Sequence, residues 1–326
     1  PNSRPRDIIK SQAEVDAITQ IEIIERIPYD IVPNPQTRIL GQAYLKLELW
    51  ASAVQSFTRL LNNTPRDSAV LRDRGDAYLG LKINQAAIED YERAVRNDPF
   101  NEENVISRGK GNAAAGDLEK ATLDFDDAIR LNPNSSEAFK FRGLMSVLSG
   151  NYTVAIYDLD KAIELYPLNH GAYFTRAKAY IGANEPALAL SDFAHAINLA
   201  PDNTDYLFNR GLLLSELKDY DLALEDFTGA IKLDQGLAGI DPRHAKPYVG
   251  RGRVYLQLED SDRAIIDARS AIQLLEGNSI MPEWTTFRMG INLHLADAHE
   301  LLGDTFTQLG NPEEAQSEYE IVASLR

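Results

Sequence analysis

Six arginines, each followed sixteen residues later by an aspartate, form the most regular charged pattern in the sequence. The pairs are Arg74 and Asp90, Arg108 and Asp124, Arg142 and Asp158, Arg176 and Asp192, Arg210 and Asp226, and Arg251 and Asp267. The arginines could bind an anionic ligand as a row, or each could form an ion pair with its own aspartate. Leu40 and Leu302 replace the arginine where Ser56 and Glu318 replace the aspartate, so the two positions change together. Because a guanidinium near a core needs a compensating carboxylate, we predict internal ion pairs.

Residues that could form a catalytic or metal site are not grouped in any recognisable pattern. The five histidines are scattered, and His294 and His299 stand five positions apart, not the four that place two ligands on one helical face. The absence of cysteine excludes disulfides, zinc knuckles and thiol nucleophiles. No glycine-rich phosphate loop, nucleophile elbow or His-Glu-x-x-His motif occurs. We therefore predict no catalytic residues, no metal site, no cofactor and no enzymatic activity.

The composition is that of a folded, strongly acidic protein. Of 326 residues, 44% are hydrophobic and 25% are charged, and the formal net charge is −16. This charge opposes binding to nucleic acid and to anionic membranes. No apolar run is long enough to span a bilayer. Because the sequence opens at Pro1 without an initiator Met or signal-peptide pattern, we expect a trimmed start, and a leader or anchor could have been removed with it. The compartment stays undetermined.

The chain repeats itself every 34 residues. Small residues recur at Gly75, Gly109, Gly143, Ala177 and Gly211, and again at Ala87, Ala121, Ala155, Ala189 and Ala223. A mostly aromatic column contains Tyr91, Phe125, Leu159, Phe193 and Phe227, and a third small column contains Ala94, Ala128, Ala162, Ala196 and Ala230. Pro99, Pro133, Pro167 and Pro201 close the repeats. The columns that begin at Ala87, Tyr91 and Ala94 follow one another at helical spacing. Each repeat is therefore predicted to be two helices that approach closely at the small residues.

These columns resemble the motif of the tetratricopeptide-repeat (TPR) family. The resemblance implies an all-α fold, a right-handed superhelical solenoid of about eight helix-turn-helix units over residues 34–326. The predicted repeats, numbered 1 to 8 in chain order, are 34–67, 68–101, 102–135, 136–169, 170–203, 204–237, 245–278 and 296–326. Insertions are predicted at 238–244 and 279–295, and an N-terminal segment at 1–33.

Two segments outside the repeats carry their own helical signals. Ser11 and Glu14 form a capping-box pattern ahead of an apolar stripe, which predicts a helix over about residues 11–26 that caps the first repeat. A detached helix that binds a partner is the alternative. In the second insertion, Pro282 and Glu283 favour the start of a long first helix that runs to about Leu309, over a loop that loosens the solenoid.

The family resemblance also implies where a ligand would bind, because the first helices of TPR units line a concave groove. The predicted partner-binding residues are Lys110, Lys140, Leu144, Phe174, Lys178, Phe208, Asn209, Leu212, Lys246, Val249 and Arg253. They mix apolar and basic side chains, which suits a protein or peptide that carries acidic groups. Alternatively, the apolar residues only pack against the next repeat and the basic ones are ordinary surface. Only Asn209 and Lys246 fit the family's carboxylate clamp, so a chaperone-tail adaptor is not predicted.

The expected function is a non-catalytic protein-interaction scaffold or adaptor that assembles a complex through this groove. One alternative is self-association into a homo-oligomer, with a terminal repeat or residues 279–295 docking into another copy through Trp284 and Phe287. Another is an accessory or regulatory domain of a larger protein. The partner and the pathway are not encoded in any motif of the chain.

Overall fold

The computed structural model describes residues 12–24, 34–235, 242–277 and 288–326. These residues form α-helices and one short 3-10 helix, with no β-strand among them. The helices in chain order are α1 (Gln12–Ile24), α2 (Asn34–Lys46), α3 (Trp50–Asn63), α4 (Ser68–Gly80), α5 (Asn84–Asn97), α6 (Glu102–Ala114), α7 (Leu118–Leu131), α8 (Ser136–Leu148), α9 (Tyr152–Leu165), α10 (His170–Gly182), α11 (Pro186–Leu199), α12 (Thr204–Glu216), α13 (Tyr220–Gln235), α14 (Lys246–Gln257), α15 (Ser261–Gly277), α16 (Arg288–Gln308) and α17 (Pro312–Leu325). The all-α prediction is confirmed.

The helices pack as consecutive pairs within two compact bodies. The N-terminal body comprises residues 10–192 and the C-terminal body residues 193–326, with the boundary inside α11. In each body, every helix packs on the next along the chain, and the first helix of one pair also contacts the first helix of the next pair. The first helices α2, α4, α6, α8 and α10 therefore share one face of the N-terminal body, and α12, α14 and α16 share one face of the C-terminal body.

The small and aromatic columns meet inside each pair as predicted. Phe57, Tyr91, Phe125 and Phe227 are fully buried. A Cβ atom added to the facing glycine would lie 2.6 Å from Phe57 at Gly41 and 2.7 Å from Phe125 at Gly109, and at Gly75 it would overlap the ring of Tyr91. Glycine is needed at these positions because the aromatic ring occupies the space of a side chain.

The first helices begin at a capping column that the repeat search did not include. Side-chain oxygens of Asp67, Asn101, Ser135, Asn169 and Asn203, each 34 residues apart, accept a hydrogen bond from a backbone N–H in the first turn of α4, α6, α8, α10 and α12. Each of these residues stands two positions after a repeat-closing proline. The proline prevents the previous helix from continuing, and the polar residue then starts the next one.

The turn between the two helices of a pair contains a residue with positive φ. Gly116 and Gly150 occupy this position at φ 86° and 75°, but Lys82, Asn184 and Lys218 take it at φ 61°, 61° and 63°. A left-handed conformation costs a residue with a Cβ roughly 1 kcal/mol relative to glycine. The same turn therefore contains glycine in some repeats and a strained residue with a Cβ atom in others.

We expect Lys82→Gly to stabilise the protein by about 0.5–1 kcal/mol, because glycine adopts the positive φ of this turn without steric cost. Urea denaturation followed by circular dichroism measures the change. Lys120→Gly is the contrasting control: Lys120 lies in the first turn of α7 at a helical φ, and its Nζ contacts Asp117 at 2.7 Å, so glycine is expected to destabilise the protein there. A loss of stability with Lys82→Gly would contradict the strain argument.

All six predicted Arg–Asp ion pairs are formed. In four of them the Nε and Nη2 atoms each donate to a different carboxylate oxygen at 2.6–2.8 Å, and the pair between Arg251 and Asp267 has the same geometry at 2.9 and 2.7 Å. Arg108 donates both bonds to one oxygen of Asp124, and Asn112 donates to the other at 2.8 Å. The aspartates are buried, and hydrogen bonding to Asp158 raises the pKa of Arg142. The prediction of internal pairing is confirmed.

Four of these arginines also reach the second helix of the preceding pair. Arg142 Nη1 donates to Asp126 on α7 at 2.7 Å, and Arg74 Nη1 donates to Thr58 on α3 at 3.1 Å. One guanidinium therefore fixes three helices at once. In the last pair, where Leu302 replaces the arginine, Glu318 instead lies 2.6 Å from Nδ1 of His299.

Helix α1 packs on the first repeat in the manner expected of a cap. Its Ile24 forms a buried cluster with Leu40 of α2, and Ile21 and Tyr44 pack against that cluster. The helix covers the apolar surface of α2 that a preceding repeat would otherwise cover. The capping prediction is thus confirmed for residues 12–24, and Ser11 lies outside the described residues.

The second insertion lengthens the first helix of the last pair. α16 has 21 residues, compared with 12 in α14 and 13 in α12. Its early residues Ile291 and Leu295 pack in a core cluster with Val249 of α14 and Leu275 of α15. The long-helix prediction is confirmed from Arg288 onward, and its proposed start at Pro282 lies outside the described residues.

Candidate partner-binding site

Helices of the C-terminal body line an open cleft of about 400 Å³. It is lined by residues of α12, α13, α14 and α16, namely Phe208, Leu212, Ser215, Glu216, Phe227, Lys246, Val249, Gly250, Arg253, His294 and Asp297. Five of these, Phe208, Leu212, Lys246, Val249 and Arg253, are among the partner-binding residues predicted from the sequence. A cleft of this size between helices has the dimensions of a typical ligand site.

The apolar lining combines core residues with an accessible one. Phe227 is fully buried and Val249 nearly so, and the ring centroids of Phe208 and Phe227 are 5.9 Å apart. Leu212 is 38% exposed. Phe227 and Val249 therefore contribute mainly to the core, whereas Phe208 and Leu212 have accessible surface for contact with an apolar group of a ligand.

The charged residues of the cleft have both signs. His294 Nδ1 lies 3.9 Å from Asp297, and Arg253 Nη2 lies 3.5 Å from Glu300 of α16. Lys246 and Glu216 also line the cleft. The cleft is therefore not the uniformly basic surface that a count of lysines and arginines alone would indicate.

The predicted residues of the N-terminal body lie on the shared face of α6, α8 and α10. Lys110 Nζ lies 4.0 Å from Asp76, and Lys140 Nζ donates to Glu137 at 2.6 Å. Both ammonium groups also lie over the ring of Phe141, at 5.8 and 4.3 Å from its centroid. These contacts hold the lysines in place, and Asp76 and Glu137 offset part of their positive charge.

Three further predicted residues of this site have mixed environments. Lys178 is exposed, and its Nζ lies 5.4 Å from the ring centroid of half-buried Phe174. Leu144 packs against the buried cluster around Phe125. In the C-terminal body, Asn209 donates to the carbonyl of Asp205 in its own helix at 2.7 Å and does not line the cleft.

Six residues that line the cleft were not among the predicted partner-binding residues, namely Ser215, Glu216, Phe227, Gly250, His294 and Asp297. His294 belongs to the inserted segment, where the 34-residue register cannot be followed, so no repeat column indicates it. Asp297 lies on the same helix, α16, at the start of repeat 8.

The sequence also matches models of a known repeat family. Models of the tetratricopeptide repeat match residues 40–102, 108–170, 174–238, 219–279 and 296–326. The chain belongs to the tetratricopeptide-repeat family. No curated protein sequence matches it. TPR proteins generally act as non-catalytic scaffolds that bind other proteins or peptides, and the fold and columns described above are those of this family.

Solved structures share the fold at low sequence identity. A TPR protein from Parabacteroides merdae has a TM-score of 0.55 at 20% identity, covering 88% of this chain and 99% of that one. A TPR protein from Thermus thermophilus has a TM-score of 0.52 at 23% identity, covering 56% and 99%. The Cut9–Hcn1 hetero-tetramer of the APC/C has a TM-score of 0.66 at 14% identity, covering 97% and 57%. At these identities the similarity shows the fold alone.

Among the described residues, no group of three or more His, Asp or Glu side chains could hold a metal ion. No helix within those ranges is long and apolar enough to cross a bilayer. Trp284 and Phe287, the residues predicted to dock into a second copy, lie outside the described residues.

Proposed function

We propose that the protein is a non-catalytic scaffold that binds a segment of a partner protein in the cleft between α12, α14 and α16. The observation that supports this most is the convergence of five sequence-predicted residues on one open cleft of about 400 Å³. An extended or helical peptide with an apolar side chain fits such a site, because a buried anchor supplies most of the affinity in peptide recognition.

Phe208 and Leu212 are the proposed apolar contacts. They lie four residues apart and so share one face of α12, next to the fully buried Phe227. An apolar ligand side chain placed there would exclude water from Leu212, which is the more exposed of the two. The N-terminal-body residues Lys110, Lys140, Leu144, Phe174 and Lys178 are proposed as additional contacts for a longer partner.

Charges of both signs would orient the ligand. Lys246 and Arg253 favour acidic groups, whereas Glu216 and Asp297 favour a basic group. Arg253 must exchange its contact with Glu300 for one with the ligand, so its net contribution to affinity is small. We therefore propose a partner segment with an apolar anchor flanked by acidic and basic residues, and not a purely acidic tail.

We expect Leu212→Arg to weaken binding of such a segment by at least about 30-fold, because a hot-spot contact contributes about 2 kcal/mol. Peptides are selected from a random display library on the parent protein, and their affinities are measured by fluorescence anisotropy. Leu222→Arg is the matched control, since Leu222 is 47% exposed on α13 and does not line the cleft. Equal affinities for both variants would contradict the proposed site.

A further inference from the structure

Helix α9 carries a second apolar face in addition to the one that packs in the core. Ala155, Leu159 and Ala162 are fully buried, as are the corresponding residues of repeats 2 to 7. On the opposite side, Val154 and Tyr157 are 54% and 61% exposed. A helix that is apolar on both faces is typical of an element covered on both sides.

The exposed apolar surface extends beyond α9 at its C-terminal end and onto both neighbouring second helices. Leu165 and Tyr166 are exposed at the end of the helix, and Leu168 is 58% exposed in the turn that follows. Leu123 of α7 and Leu188 of α11, which flank α9, are also exposed. The guanidinium of Arg142 joins α7 to α9, and that of Arg176 joins α9 to α11, so these three helices are neighbours. We call this surface, made of Leu123, Val154, Tyr157, Leu165, Tyr166, Leu168 and Leu188, the α9 patch.

The charged residues of the α9 patch leave only a small net negative charge. Lys161 Nζ donates to Glu164 at 2.5 Å, and Asp160 shares the guanidinium of Arg176 with the buried Asp192. The chain as a whole has a formal net charge of −16. Two copies of so acidic a protein repel each other over most of their surface, and this repulsion is weaker across an apolar patch that carries few unpaired charges.

We propose that the α9 patch is the interface of a two-fold symmetric homodimer. Lys161 and Glu164 lie one turn apart on the same helix, so an antiparallel α9 of a second copy places its Glu164 opposite Lys161 and its Lys161 opposite Glu164. A two-fold interface requires such self-complementarity, and the Lys161 and Glu164 positions of α9 provide it.

The test is the mass of the protein in solution, measured by light scattering during size-exclusion chromatography at up to about 100 μM, where micromolar dimers are populated. The parent is expected at twice the chain mass of 36.3 kDa. Tyr157→Arg is expected at the monomer mass, because it places a charge in the centre of the patch. Ile266→Arg, a change at an equally exposed residue of α15, is expected to stay dimeric. A monomeric parent, or a dimeric Tyr157→Arg variant, would overturn the proposal.

A mixing experiment tests the register separately from any effect inside the helix. Lys161→Glu gives the patch two acidic groups and Glu164→Lys gives it two basic groups, so each variant alone is expected to be monomeric. When the two are mixed, each charge faces its opposite across the interface, and a heterodimer is expected, although the contacts within each helix stay repulsive. Circular dichroism verifies that both variants are folded. A mixture that stays monomeric would overturn the register.

Discussion

Arg142→Leu is expected to lower the free energy of unfolding by about 3–5 kcal/mol, because it leaves the carboxylate of Asp158 buried without a counter-charge. Asp158 is fully buried and receives two hydrogen bonds from Arg142, at 2.8 and 2.6 Å. The substitution also removes the bond from Arg142 to Asp126, which is half exposed and can be hydrated instead. Urea denaturation followed by circular dichroism measures the loss.

The double variant Arg142→Leu with Asp158→Ser is expected to recover most of that loss. It reproduces the combination of Leu40 and Ser56 that the first repeat contains, where the Ser56 hydroxyl donates to the carbonyl of Ser52 at 3.0 Å. Without a buried charge, the desolvation penalty is gone. If the double variant were as unstable as Arg142→Leu, the uncompensated carboxylate would not be the cause.

Phe227→Ala is expected to cost about 3–5 kcal/mol, the usual range for removing a buried aromatic ring. The ring is fully buried, and a Cβ atom added at Gly211 of α12 or Gly250 of α14 would lie 3.0 or 2.7 Å from it. Phe227 therefore joins two successive pairs of the C-terminal body and also lines the cleft. The cavity would destabilise both pairs, so peptide binding is expected to be lost with the stability.

Phe208→Ala is the control that separates these two effects. Phe208 is half buried, with its ring 5.9 Å from that of Phe227, so its truncation removes less packing. We expect a smaller loss of stability than with Phe227→Ala, together with weaker peptide binding by a protein that is still folded. Thermal unfolding and fluorescence anisotropy give the two quantities. Similar destabilisation by both variants would assign Phe208 to the core.

Much of the fold follows from the sequence because residues of the same types pack the two helices together in most repeats. The aromatic column and the facing glycines specify how the two helices of a pair meet, and the simultaneous change of Arg and Asp at positions such as Leu40 and Ser56 indicates a direct contact. The apolar stripe that ends at Ile24 predicts a cap for the same reason, since the first repeat has an uncovered face.

The candidate site was less accessible to sequence reasoning. The predicted groove residues include no acidic side chain and so omit Asp76 of repeat 2 and Glu300 of repeat 8, which lie 4.0 Å from Lys110 and 3.5 Å from Arg253. They also omit Glu137, which accepts a bond from Lys140. The net charge of the groove also depends on acidic residues of neighbouring helices. A set of basic residues taken from a few repeat positions therefore overstates the positive charge of the groove.

The turns between the two helices of a pair were also only partly predictable from the sequence. Lys82 and Lys218 adopt the same positive φ as Gly116, because the packed helices on either side determine the turn. A sequence pattern that depends on glycine cannot detect such a turn, since tertiary packing overrides the local preference.

The most direct test of the proposed function uses the absence of cysteine from the chain. Single variants Leu212→Cys and Leu222→Cys are alkylated with iodoacetamide, with and without a saturating concentration of a peptide selected on the parent protein. We predict that the peptide slows alkylation at position 212, inside the cleft, by more than about tenfold and leaves position 222 unchanged. Equal rates with and without peptide at position 212 would show that the partner binds elsewhere.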